Sequence, residues 1–428
     1  MSLFSISKNM VLTVLLIFHT LVKADNPDAL TLQAATDRAV QDNPGLAQIR
    51  ARAQAMAAIP AQVGTLPDPV ISFNALNLPT DTFDTRQEPM TQMQFGLSQT
   101  IPFPGKLALR EQAASFEAAA ALKNVTEARG WLQQNVKKTW WQIFYLDHVL
   151  QIVDSNLVLL RQFIQIARTK YEVGEGLQQD VLLAQLELSK FLDQQLKLTG
   201  LRRNAVAQLN ALLDRPPGQT IRLPKKVEEK LPRLLAETEL YRRAEDFRAV
   251  LAAKRESINA AQSRLELAKK DYFPDLNVGA AYGVRDNTLS GAQRADFLSM
   301  KLSMSVPIFM ASKQAKAVDQ RTSELMQQKY ALQDEWNNVR AQISQGASDY
   351  QRAKDQVILF KTGIIPQARQ TVASMLSGYQ VSTVDFLNLV RSQITLFNYE
   401  MQYWNAFAEA NQALAQLTAA IGMDDIYE

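Results

Sequence analysis

Residues 297–306, FLSMKLSMSV, alternate Leu298, Met300, Leu302, Met304 and Val306 with Ser299, Lys301, Ser303 and Ser305, inside a chain dominated by helix-forming Ala, Gln, Leu, Lys and Glu. A period of two marks a β-strand with one apolar and one polar face. In a soluble sheet the apolar face would cover a core, yet the neighbouring sequence offers few other strands to complete one. Gly and Pro supply only 16 residues each of 428, too few for the turns of an all-β protein. What covers the apolar face therefore decides the fold.

The N-terminus bears on location. Lys8 precedes the apolar run Met10 to Phe18, and Val22 and Ala24 are the small residues that signal peptidase accepts, which predicts an export signal over residues 1–24 and a mature start near Asp25. No other stretch approaches the roughly 18 consecutive apolar residues of a membrane-spanning helix. The chain has no cysteine, which excludes disulfides, thiolate metal sites and a lipid-bearing Cys after the signal. With 46 basic and 43 acidic residues the net charge is +3, so no nucleic-acid partner is expected.

An internal repeat organises the rest. YEVGEGLQQDVLLAQ (171–185) aligns without a gap on YQVSTVDFLNLVRSQ (379–393), matching Tyr171 with Tyr379 and Val173 with Val381. At the same spacing AQLNALLD (207–214) falls on AQLTAAIG (415–422). Upstream, LPDPVIS from Leu66 resembles FPDLNVG from Phe273, and LSQTIPF from Leu97 resembles LSMSVPI from Leu302. Copies this long are duplicated domains, not solenoid repeats. They are expected over residues 25–214 and 237–428, with 215–236 as an equatorial linker.

Each copy predicts the same order of elements. A lead-in helix (30–63, 237–270) stops at Pro67-Asp68 or Pro274-Asp275. Two strands follow, at 69–79 and 92–102 in the first copy and at 276–285 and 296–307 in the second, each about the 9–11 residues that cross a tilted bilayer. Their linking segments, PTDTFDTRQEP and RDNTLSGAQRA, are polar. Helices are then expected at 106–172 and 178–213, and at 312–378 and 384–421. At about 1.5 Å per residue the first of each pair is on the order of 100 Å long. Along the return helix Val181, Ala184, Leu188, Phe191, Leu198, Ala205, Leu209 and Leu212 follow a 3.5 spacing interrupted only by Gln195 and Arg202, which is coiled-coil packing.

Four strands cannot close a barrel, since about eight are needed, and an open sheet edge is not tolerated in lipid. Several chains must therefore share one barrel. Three copies would give a twelve-strand β-barrel and a twelve-helix α-barrel. Leu298, Met300, Leu302, Met304 and Val306 would then face lipid, and Ser299, Lys301, Ser303 and Ser305 the watery lumen. The fold class is mainly α with a membrane β-barrel portion.

The duplicated halves, the strand pair after each Pro-Asp, and the Y-x-V-G turn followed by an A-Q helix resemble the TolC family of outer-membrane efflux channels over essentially the whole mature chain. QTIPFPGKLALR (99–110) is similar to a segment of channels serving heavy-metal resistance-nodulation-division pumps. The resemblance implies a homotrimer in outer-membrane lipid with its helical barrel in the periplasm. A periplasmic adaptor would join it to an inner-membrane pump of that class. It also implies adaptor contact at the helix-turn tips: Tyr171, Val173, Gly174 and Gly176 in the first copy, Tyr379, Val381 and Ser382 in the second. Gly174 and Gly176 would allow the turn by positive φ, and Ser382, in place of a glycine, suggests a different turn. In the family, acidic residues nine and twelve positions after the second tip Tyr line the closed periplasmic mouth; here these are Asn388 and Arg391. Asp385, nearly a turn earlier, either joins that gate or caps the return helix.

No catalytic constellation, metal site or cofactor is expected. His148 is the single mature histidine, and Trp140 and Trp141 fit packing between helices. The function read here is a passive exit duct for solutes, heavy-metal cations among them, delivered by a pump. The exit duct of a type I protein-secretion system is the alternative within transport, and a non-conducting envelope coiled coil is the alternative outside it.

Overall fold

The computed structural model describes residues 29–427, so the export signal read at 1–24 lies outside the described residues. The first lead-in, expected as one helix, is three: α1 (Leu32–Asp42), α2 (Pro44–Ala57) and α3 (Ile59–Gly64). Asn43 restarts the chain, since its side-chain oxygen accepts the Leu46 N–H at 3.0 Å and Pro44 supplies the first helical φ. After these come β1 (Val70–Leu76), β2 (Gln92–Ile101), α4 (Lys106–Glu172) and α5 (Gln178–Leu212). The second copy runs α6 (Glu237–Phe247), α7 (Ala249–Lys270), β3 (Leu276–Val284) and β4 (Phe297–Met304). Its lead-in is also broken, at Arg248, whose buried guanidinium meets Glu127 of α4 at 2.8 Å. The other Glu127 oxygen accepts the Val250 N–H at 3.2 Å and so caps α7 from a different helix.

The chain ends in α8 (Gln314–Leu359), α9 (Ile365–Gln380) and α10 (Phe386–Ile421). The helix expected without interruption over 312–378 thus carries a π-turn at Phe360–Ile364. Its cause is Pro366, which has no N–H to donate and would clash with the carbonyl one turn back. The widened turn brings Lys361 to Glu229 at 2.7 Å. That ties the equatorial linker to the helix; Tyr350 and Lys354 also donate to its Pro232 carbonyl at 2.5 and 3.1 Å.

The four long helices pack side by side. Val136, Ile143, Val149 and Val153 of α4, Leu209 of α5 and Leu389 of α10 are fully buried. Ala184, Phe191, Leu198 and Ala205 fill the same seam, where the two polar positions find partners: Gln195 donates to Asp154 at 2.6 Å, and Arg202 pairs with Asp147 and donates to the Ile221 carbonyl at 3.2 Å. Trp140 and Trp141 lie in this core, and His148 stacks between Phe144 (4.2 Å) and Trp404 (3.9 Å) as a packing residue. Among the described residues α4 alone is long and apolar enough by composition to cross a membrane, a resemblance that the run-length reading did not anticipate. Its apolar stripe is spent on the core.

The strands form one antiparallel sheet in the order β1-β2-β3-β4. They are shorter than expected. β1 stops at Leu76 because Asn77 takes φ 53. β4 stops at Met304 because the next facing pair keeps only one backbone bond: the Ser305 N–H donates to the Asp275 carbonyl (3.1 Å), while the Asp275 N–H is diverted to the Ser305 hydroxyl (3.2 Å). Ser305 and Val306 are therefore corrected from strand to junction residues.

Candidate functional site

Facing pairs in a ladder share a face, so the register sorts the sheet. Phe73 opposes Phe95, Leu97 opposes Ala280, Val278 opposes Leu302 and Tyr282 opposes Leu298, which gives one apolar face that includes Met300 and Met304. Ser72, Gln94, Ser98, Asn277, Ser299, Lys301 and Ser303 form the other. The polar face is close-packed at its glycines. A Cβ on Gly96 would lie 2.6 Å from Ser72 Oγ and one on Gly283 1.9 Å from Gln92 Oε1, both on the polar face. The apolar face is open, with Ile71 82% and Met300 84% exposed. Beyond the strands the two polar loops are laced by Arg285 and Arg294, which donate to the carbonyls of Pro89 (2.6 Å) and Glu88 (3.1 Å).

A joint couples this sheet to the helices. Lys106, the first residue of α4, is buried; its ammonium lies 2.9 Å from Asp275, 3.3 Å from Asp271 and 3.1 Å from the Phe273 carbonyl. Asp275 also accepts the Phe103 N–H at 2.8 Å, and the rings of Phe103 and Phe273 stack at 4.5 Å. The segment QTIPFPGK thus meets the Phe-Pro-Asp of the other copy. Its Phe103 and Lys106 serve this joint. Sequence reasoning used Pro-Asp only as a helix stop and missed the ion pair.

At the opposite end the helix-turn tips share one backbone pattern. The N–H groups of Val173, Gly174 and Glu175 donate to the carbonyls of Thr169, Tyr171 and Lys170, and those of Val381, Ser382 and Thr383 to Ser377, Tyr379 and Gly378. Gly174 has φ 76 and Ser382 φ 59, so the second tip turns as the first does, and Ser382 carries the strain that glycine avoids. Gly176 does not take positive φ. It is small because a Cβ there would sit 2.9 Å from Lys170 Cβ, whereas in the second tip Gly378 makes the same room for Val384. Lys170, unremarked in the sequence, links the tips: it donates to Ser382 Oγ at 2.7 Å and lies 5.2 Å from the Tyr379 ring centre.

Tyr379 is buried with its hydroxyl unpartnered, and burial, helped by the Asp180 carboxylate, pushes its pKa up to about 12. Asp180 is itself raised, by burial first and by the charge of Asp385. Asp385 stands at the N-cap of α10, but its side chain makes no cap hydrogen bond. Asp385, Asn388 and Arg391 are exposed, and among the described residues no ion pair within the chain joins Asp385 to Arg391. No group of three or more metal-ligating side chains occurs among the described residues.

The sequence profile of the outer membrane efflux protein family matches residues 35–215 and 240–423. The outer membrane efflux protein BepC of Brucella suis is 24% identical over 326 residues, which cover 70% of this chain and 68% of BepC. Among solved structures, the outer membrane protein VceC of Vibrio cholerae matches with a TM-score of 0.77 at 16% identity, covering 92% of this chain and 96% of VceC. The outer-membrane channel OprN matches with a TM-score of 0.78 at 18% identity, covering 91% and 89%. Two matched segments, one on each copy of the repeat and together most of the chain, place it beyond fold likeness alone: it belongs to the outer membrane efflux protein family.

Proposed function

We propose that three copies of this chain close a twelve-strand barrel in outer-membrane lipid and a helical barrel in the periplasm, forming the passive exit duct of a tripartite efflux system. The observation that carries this reading is a four-stranded sheet with one polar face, one apolar face and two unpaired edges. Edges are excluded from lipid unless another chain pairs them. Ser299, Lys301 and Ser303 then line water, and Leu298, Met300, Leu302 and Met304 meet acyl chains. The tips at Tyr171–Gly176 and Tyr379–Ser382, farthest from the sheet, receive the periplasmic adaptor and through it an inner-membrane resistance-nodulation-division pump. The duct performs no catalysis, and the pump selects the solute. The test is conductance in planar bilayers by purified protein that light scattering shows to be trimeric; a monodisperse, non-conducting monomer would refute the reading.

The gate follows from the tip. Asp385, free of a cap bond, stands with Asn388 and Arg391 on the exposed side of α10, where three-fold symmetry gathers three copies, with Arg391 pairing to Asp385 of a neighbouring copy. We expect Asp385→Ala and Arg391→Ala each to raise resting single-channel conductance, and Asp385→Ala also to lower cation preference. Parent-like recordings from both variants would move the gate elsewhere. A second expectation concerns Asp180. Taking this conformation of the tip as the closed one, a carboxyl raised in it favours closure at low pH and opposes it as pH rises through that raised pKa. Asp180→Asn should therefore lower resting conductance at neutral pH and flatten its dependence on pH, which recordings between pH 4 and pH 7 would check.

A further inference from the structure

The equatorial linker concentrates the positive charge of the chain. Residues 215–236 hold six basic residues, Arg215, Arg222, Lys225, Lys226, Lys230 and Arg233, against two acidic ones, Glu228 and Glu229. This segment alone therefore carries a net +4, while the whole chain carries +3. Of its two carboxylates Glu229 is already engaged, by Lys361 and by the Tyr403 hydroxyl, each at 2.7 Å. Arg222, Lys225, Lys226 and Lys230 are exposed, and their side chains make no hydrogen bond or ion pair among the described residues.

The backbone that carries these cations is strapped to the helices. Ile221 is buried and its carbonyl accepts from Arg202, the Arg222 carbonyl accepts the Leu30 N–H at 2.8 Å, and the Pro232 carbonyl accepts from Tyr350 and Lys354. Leu223, Val227 and Leu231 pack inward against the helical core, so the exposed cations between them are turned outward. In a closed helical barrel a strap on the inner wall would plug the lumen, so this one girdles the outer wall.

Height and chemistry narrow the partner. Leu30, bonded to Arg222, accepts the Trp140 indole N–H at 2.9 Å, and Trp140 lies 34 residues along α4 from Lys106 at the foot of the sheet. At 1.5 Å per residue the strap crosses the helices roughly 50 Å below the strands and about as far above the tips. A bilayer that the strands span leaves its headgroups far from that level. Between Leu201 and Phe247 no large apolar side chain is exposed, so the surface lacks the apolar anchors around which a protein interface is built. What it offers is a line of unpaired cations that from Arg222 to Lys230 reaches up to about 25 Å. A line of charge without a pocket suits an extended polyanion.

Resting on the periplasmic duct proposed above, we propose that this belt binds peptidoglycan, the envelope polymer whose stem peptides carry free carboxylates, and so seats the duct in the cell wall. Arg222, Lys225, Lys226 and Lys230 donate to those carboxylates, and three copies close the cations into a ring. Such contacts between exposed charges are individually weak and screened by salt. The detergent-purified full chain should therefore co-sediment with purified sacculi at about 0.05 M salt and be released at about 0.5 M. The Arg222→Gln/Lys225→Gln/Lys226→Gln/Lys230→Gln variant should bind at least about tenfold less at the lower salt, while its trimer size and planar-bilayer conductance match the parent. Lys123→Gln/Lys197→Gln/Lys316→Gln/Lys329→Gln, which removes the same charge away from the strap, should bind as the parent does. Sacculi with amidated carboxylates should bind no protein. Equal losses in the two fourfold variants would reduce the effect to net charge and overturn the belt. Strap-dependent binding that survives amidation, or that goes to phosphatidylglycerol vesicles in place of sacculi, would overturn the peptidoglycan assignment. A conducting trimer that ignores sacculi would remove the belt and leave the duct standing, whereas a non-conducting monomer that binds them through the strap would remove the duct and keep the belt.

Discussion

Asp275→Ala is expected to destabilise the assembled protein by about 2 kcal/mol, within the range for losing hydrogen bonds to a charged group, since Lys106 is buried but Asp275 is a third exposed. Lys106 is buried at the start of α4 and has two carboxylates within reach, Asp275 at 2.9 Å and the more open Asp271 at 3.3 Å. Removing Asp275 leaves the ammonium with its weaker partner and the Phe103 N–H with none. Burial pushes the Asp275 carboxyl up, but the Phe103 N–H and Lys106 together outweigh it and hold the group below the usual carboxylate range. A depressed folded pKa contributes stability that is present above the unfolded value of about 4 and lost as pH falls through the folded one. The parent should therefore lose stability below about pH 4 more steeply than Asp275→Ala does. Denaturant midpoints across that pH range check both points. A loss no greater than that of Asp271→Ala would remove Asp275 from its place in the joint.

This joint marks where sequence reading runs out. The strands were legible because a period of two stands out among helix formers, and the long helices because few breakers interrupt them. The duplication was legible because Tyr171 and Tyr379 head matching stretches. The Lys106–Asp275 pair was not, because it joins positions 169 residues apart, and neither residue type announces a partner. The π-turn follows from Pro366, a breaker visible in the sequence but read past. The breaks at Asn43 and Arg248 could have been found only in part: Asn43-Pro44 is a start signal, whereas Arg248 depends on Glu127 of another helix. At the tips a glycine rule misled twice. It assigned positive φ to Gly176, which is small for want of room beside Lys170, and it expected Ser382 to turn unlike Gly174. The matching backbone bonds of the two tips impose one turn on both, whatever the side chain.

The strand face carries the other large effect, and two neighbouring substitutions test it. Leu302 lies on the apolar face opposite Val278, and Ser303 lies on the polar face opposite Asn277. With the apolar face in lipid, Leu302→Arg sets a guanidinium among acyl chains at a cost of about 2–4 kcal/mol per copy near the bilayer midplane. A closed trimer meets that cost three times over, enough to abolish the heat-resistant assembled species on gels. Ser303→Arg sets the same charge in a water-filled lumen, where it keeps its hydration; assembly should persist, with an altered ion preference. The two positions share a strand, a depth and a substituted side chain, so strand propensity and bulk largely cancel between them and the difference reports the solvent on each side. Equal losses would mean that neither face meets lipid at this depth. A larger loss for Ser303→Arg would turn the sheet over and place the polar face outside, against the exposed apolar face that carries Ile71 and Met300.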